Sequence, residues 1–128
     1  MSTAKKEYKR VTVKSLVEMK TNNEKISMLT AYDYTMAKIV DSAGVDVILV
    51  GDSASNVMAG HETTLPITLD QMIYHASSVI KAVERAFGAV EHPLGSDQSD
   101  RKGGLMCAIR IRRESRGNAV KLEGGKES

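Results

Sequence analysis

Apolar positions along this chain recur with two different periods, and their alternation outlines the fold. Val13, Leu16 and Val17 stand at helical spacing within residues 12–20, where Thr12 is placed to cap the first turn and Asn22-Asn23 to end the helix. Residues 26–30 form a short apolar run, expected as a strand. Met36, Ile39 and Val40 then mark one face of a helix over 33–43, and Gly44 falls where a helix C-terminus favours a left-handed residue. Residues 45–50 are apolar almost throughout, the pattern of a parallel strand covered on both faces. Beyond a long polar loop, Thr68-Leu69-Asp70-Gln71 has the spacing of a capping box. It predicts a helix running to Ala86 with Met72, Ile73, Ala76, Val79, Ile80 and Val83 inward. Residues 87–91 should give the next strand, the least regular of the set, because Gly88 supplies no side chain to pack. A helix over 103–115 with Leu105, Ala108 and Ile109 apolar, and a strand over 119–122, complete the order.

Strands alternating with helices imply right-handed βαβ units and a parallel sheet. The reading is therefore one α/β domain: residues 1–24 an N-terminal extension with a helix, residues 25–128 four βα units. Four units make either a small open sheet or the first half of a closed eight-stranded barrel, which needs about 250 residues.

Composition narrows the partners. An apolar share of 41% beside 27% charged residues is that of a globular protein. A net charge of +2, with its basic residues scattered, argues against nucleic acid. No apolar run approaches the roughly 20 residues of a membrane span, and no signal-peptide pattern opens the chain. The lone Cys107 excludes an internal disulfide and suits a reducing compartment, so the expected address is the cytoplasm.

Chemistry concentrates where strands end. Asp52, Glu91 and Glu123 each fall at, or just after, the end of a predicted strand. Carboxylates gathered from separate strand ends make a hard oxygen site suited to Mg²⁺. Strand-end acids also cap helices or face solvent, so spacing alone leaves both readings open. Lys121 lies two residues before Glu123 and shares its side of the strand, positioned to hold a substrate anion or simply to form an ion pair. Ser53 can donate to a substrate carboxylate or merely finish the turn. His61, His75 and His92 have no metal-ligand spacing to one another or to Cys107, and are read as structural. Cys107 is read as a small core residue.

Four blocks, in order, carry a family resemblance: Met28-Leu29-Thr30-Ala31-Tyr32-Asp33-Tyr34, Ile48-Leu49-Val50-Gly51-Asp52-Ser53, Gly60-His61-Glu62-Thr63-Thr64-Leu65-Pro66 and Val120-Lys121-Leu122-Glu123-Gly124-Gly125. Together they resemble the ketopantoate hydroxymethyltransferases of pantothenate and coenzyme A synthesis. The resemblance implies a (β/α)₈ TIM barrel, of which this chain carries about the first four units, and a homo-oligomer. It also implies Mg²⁺, with 5,10-methylenetetrahydrofolate as one-carbon donor to the 2-oxo acid 3-methyl-2-oxobutanoate. Carried over by position, Asp52, Glu91 and Glu123 would be metal ligands, and Asp52, Ser53, Glu91 and Lys121 would contact the substrate. The family's general-base glutamate would lie beyond Ser128, so no residue here takes that role.

The chain departs from the pattern at Phe87-Gly88-Ala89-Val90-Glu91-His92-Pro93-Leu94-Gly95-Ser96-Asp97. Pro93, Gly95 and Ser96 set the register and put Glu91 where the family has aspartate. Residues 97–118 also look unlike the family, with Arg101, Arg113 and Arg116 in place of more ordinary helix residues. Two other readings stand beside the first. One is a catalytically inactive fragment; the other is a different Mg²⁺-dependent 2-oxo-acid enzyme of the isocitrate-lyase-like barrel type.

Overall fold

The computed structural model describes residues 9–51, 68–91 and 101–121. Elements follow one another as α1 (Val13–Thr21), β1 (Met28–Thr30), α2 (Tyr34–Ser42), β2 (Val47–Val50), α3 (Leu69–Ala82), β3 (Phe87–Glu91), α4 (Arg101–Ser115) and β4 (Ala119–Lys121). The strands form one sheet in the order β1-β2-β3-β4, every neighbouring pair parallel. The expected α/β class and parallel order hold, and the sheet of described strands is open, not a closed barrel.

Local chemistry explains the helix starts. Thr12 Oγ1 accepts the Ser15 amide at 3.1 Å while Ser15 Oγ accepts the Thr12 amide at 2.7 Å. Thr68 and Gln71 make the same reciprocal exchange at the start of α3, and Asp33 caps α2 by accepting from the Met36 amide. Each such cap satisfies a donor the helix leaves without a partner, worth about 1 kcal/mol. Helix ends use the left-handed region: Asn23 at φ 57° after α1 and Gly44 at φ 91° after α2.

Alternation along β2 divides the core between two faces. Ile48 and Val50 pack with Val90, Val79, Ala76, Met72 and Ile111 beneath the layer of α2, α3 and α4. Val47 lies on the opposite face with Phe87 and Val11, against which Leu16, Ala89 and Ala119 pack. The segment entering α1 is tied beneath the sheet by the Val11 amide, which donates to Arg85 O at 2.8 Å.

Three expectations need correction. First, β3 is the longest of the described strands, with Phe87–Val90 paired to β2 and Ala89–Glu91 paired to β4. Gly88 strengthens the packing here, because a Cβ at that position would overlap Ile80 Cδ1 of α3. Its missing side chain admits the helix. Second, α3 stops at Ala82, four residues before Ala86, with Val83 already extended at φ −88°, ψ 123°. The buried carboxylate of Asp41 on α2 takes over there, accepting the amides of Glu84, Arg85 and Ala86. Third, Leu105 and Ile109 are exposed, and among the described residues of α4 Ile111 is fully buried. The helix thus presents a different stripe to the core from the one its apolar spacing suggested. Cys107, expected in the core, is half-buried.

Candidate functional site

Parallel strands converge their carboxyl ends on one edge of the sheet, where ligands bind in α/β proteins. Glu91 is the last residue of β3 and Lys121 the last of β4. The register places them directly opposite each other. Alternation puts Glu91 on the same face as Phe87 and Ala89, and Lys121 on that of Ala119, away from the helical layer. Lys121 Nζ donates to Glu91 Oε2 at 3.0 Å.

Exposure of the two partners differs. The Glu91 side chain is 6% exposed and the Lys121 side chain 47%. A carboxylate taken so far out of water needs a compensating charge, which the ammonium supplies. Lys121 in turn keeps enough exposure to meet an anion arriving at the strand ends. The arrangement joins a buried oxygen donor to a half-exposed cation.

Spacing alone paired Lys121 with Glu123 along the strand; its observed partner is Glu91, across the ladder from it. That contact depends on the β3–β4 register, which no local pattern encodes. Asp52, Ser53 and Glu123 lie outside the described residues, as do His61, His92 and the Gly60–Pro66 block. Asp52 follows the last residue of β2 by two positions and Glu123 follows that of β4 by two. Among the described residues no group of three or more His, Cys, Asp or Glu side chains is gathered to hold a metal. His75 has the structural role expected of it: its Nδ1 donates to Tyr32 O at 3.1 Å, tying α3 to the turn after β1.

The opposite ends of β1 and β2 carry a second polar cluster, missed by sequence reasoning. Asp46 Oδ2 accepts from the Ser27 amide and from Ser27 Oγ, while the Asp46 amide donates to Ser27 Oγ. Arg85 lies 3.5 Å from Asp46 and donates to the carbonyls of Gly44 and Val45. The Ser27 amide foremost, with its hydroxyl and Arg85, holds the Asp46 carboxyl below its ordinary value, against the opposing pull of burial. This cluster closes the entry to the sheet at the end remote from Glu91. No helix among the described residues is long and apolar enough to cross a membrane.

Comparison with known proteins gives the chain a family. The family model described as ketopantoate hydroxymethyltransferase matches residues 10–128. A protein of Flavobacterium johnsoniae named 3-methyl-2-oxobutanoate hydroxymethyltransferase is 79% identical over 127 residues, covering 99% of this chain and 47% of its own length. Proteins of the same name from Christiangramia forsetii and Cytophaga hutchinsonii are 76% and 69% identical over the same shares. The chain spans about half the length of these relatives. The span matched by the family model includes residues 97–118, the stretch that looked least like the family. By this match over nearly its whole length, the chain belongs to the ketopantoate hydroxymethyltransferase family.

Proposed function

We propose that this chain provides the oxo-acid and metal end of an active site that transfers a hydroxymethyl group from 5,10-methylenetetrahydrofolate to 3-methyl-2-oxobutanoate, giving ketopantoate in pantothenate synthesis. The observation that carries the reading is the Glu91–Lys121 pair at the carboxyl ends of adjacent parallel strands, in a chain of this family. Glu91 contributes a hard oxygen donor, and Asp52 and Glu123 follow the ends of β2 and β4 in sequence. This donor chemistry suits Mg²⁺ and excludes softer ligand sets. When bound, Mg²⁺ would supply Lewis-acid polarisation of the oxo group. Lys121 holds the substrate carboxylate, and Ser53 with Asp52 orients the oxo acid. In this reading the enzyme is cytoplasmic and homo-oligomeric, closing a (β/α)₈ barrel around the site.

Titration calorimetry tests the assignment. Binding of 3-methyl-2-oxobutanoate should require Mg²⁺ and weaken about tenfold or more in Lys121→Met, the loss of one charge-assisted contact. Asp52→Ala should abolish Mg²⁺ binding. Identical isotherms for the wild-type chain and Asp52→Ala would overturn the metal assignment. Unchanged oxo-acid affinity in Lys121→Met would remove that residue's role.

A further inference from the structure

The Glu91–Lys121 pair exists only in one register of β4 on β3, and β4 is three residues long. So short a strand holds its register weakly through its own ladder. A one-residue slip would turn Lys121 to the opposite face, into the apolar layer where Val120 packs. The geometry points to one residue just outside β4 that prevents this.

Asn118 precedes β4 and brackets a single residue of β3 with two hydrogen bonds. Its backbone amide donates to Gly88 O at 2.7 Å. Its side-chain Oδ1 accepts the Gly88 amide at 2.8 Å. Gly88 and Asn118 stand three residues before Glu91 and Lys121 respectively, so the bracket and the pair are rungs of the same ladder. The approach to Asn118 is itself fixed. Ser115 Oγ is buried and accepts the Gly117 amide at 3.2 Å, Arg116 takes a left-handed φ of 64°, and a Cβ on Gly117 would lie 2.9 Å from Val90 Cγ2. The turn leaving α4 thus delivers Asn118 to Gly88 with little freedom.

We propose that Asn118 is the positioning residue of the site: by clamping the backbone of Gly88 it sets the β3–β4 register and so holds Lys121 opposite Glu91. The functional meaning of that register rests on the site reading given above. Asn118→Ala removes the acceptor, whereas Asn118→Asp keeps an oxygen within reach of the Gly88 amide. In Asn118→Ala the Gly88 amide should exchange with solvent about five- to tenfold faster, the loss of one hydrogen bond. The nuclear Overhauser contacts between Glu91 and Lys121 side chains should disappear, while those between α2 and α3 persist. Asn118→Asp should restore both. Should Asn118→Ala fail to fold, Asn118→Ser, whose oxygen falls short of Gly88, carries the same comparison. If neither folds, an Asn118→Asp chain that folds with the pair intact supports the assignment. An Asn118→Asp chain that also fails to fold overturns it. Retention of the Glu91–Lys121 contacts in folded Asn118→Ala overturns it as well. Calorimetry with Mg²⁺ and 3-methyl-2-oxobutanoate separates the two readings: absence of binding in the wild-type chain counts against the proposed function, while the register measurement still decides the role of Asn118.

Discussion

Two aspartates show how a single carboxylate organises this fold. Asp41 is buried on α2 and accepts three consecutive backbone amides, those of Glu84, Arg85 and Ala86. Removing it would leave the buried Ala86 amide and the part-buried amides of Glu84 and Arg85 unpaired, each costing up to about 1–3 kcal/mol. Asp41→Ala should therefore lower unfolding stability in urea by about 3 kcal/mol or more, and Asp41→Asn by less, since its amide oxygen can still accept. A loss below about 1 kcal/mol for the alanine variant would mean that the turn into β3 holds without it. Asp46 acts through ionisation. The folded state depresses its pKa below the ordinary 3.8, so the unfolded chain binds this proton more readily. The stabilisation is fully present above the ordinary carboxylate value and is lost as pH falls through the lower folded value. Stability measured from pH 6 down to pH 2 should drop less steeply in Asp46→Asn than in the wild-type chain. Parallel acid limbs would show that Asp46 contributes nothing to the pH dependence.

Between elements, the approach of α3 to β3 turns on the absence of one methyl group. Gly88 lets Ile80 reach the strand backbone. Gly88→Ala should destabilise the chain by about 1–3 kcal/mol through overpacking. The obstructing atom is the far end of a flexible side chain, so Ile80→Val, which deletes Cδ1, should recover much of that loss in the double variant. Strictly additive effects of the two substitutions, read from thermal or urea unfolding, would show that they do not meet.

The same position shows where sequence reasoning stops. The caps at Thr12, Gly44 and the Thr68–Gln71 box and the parallel order were legible, because those residues act within a few positions of their own backbone. The run Val47–Val50 was legible because only a strand covered on both sides is apolar throughout. Gly88 read as a weakness because its value lies in a helix residue eight positions earlier in sequence, and the early end of α3 depends on Asp41, some forty residues away. For the candidate site, the place of Glu91 at the end of β3 was legible. The pairing of Glu91 with Lys121 was not, since it needs the register that Asn118 and Gly88 impose across thirty residues. The exposed stripe of α4 misled for a related reason. Apolar spacing identifies a face without saying which elements the chain supplies to cover it.

At the scale of the molecule, the described sheet ends in two unpaired edges. β1 and β4 each have a single neighbour, and β1 is exposed along its length, with Met28 and Leu29 each more than half accessible. Met36 and Ile39 on α2, and Leu105, Met106 and Ile109 on α4, are exposed as well. Unpaired edges flanked by apolar side chains template further pairing. Sedimentation velocity on the 128-residue chain should accordingly show self-association that grows with concentration, and a sharp monomer boundary at high concentration would contradict it. Activity follows a different requirement. Enolisation of a 2-oxo acid needs a base within about 2.6–3.2 Å of the proton it removes, or one water further. Glu91 is paired with Lys121 and is proposed as a metal ligand, and no residue of this chain is assigned as the base. The chain alone should therefore leave the C3 proton of 3-methyl-2-oxobutanoate in place when followed by proton NMR in deuterium oxide with Mg²⁺. Exchange clearly above the metal-only background would overturn this, and its persistence in Glu91→Gln would move the search for the base away from the acid–lysine pair.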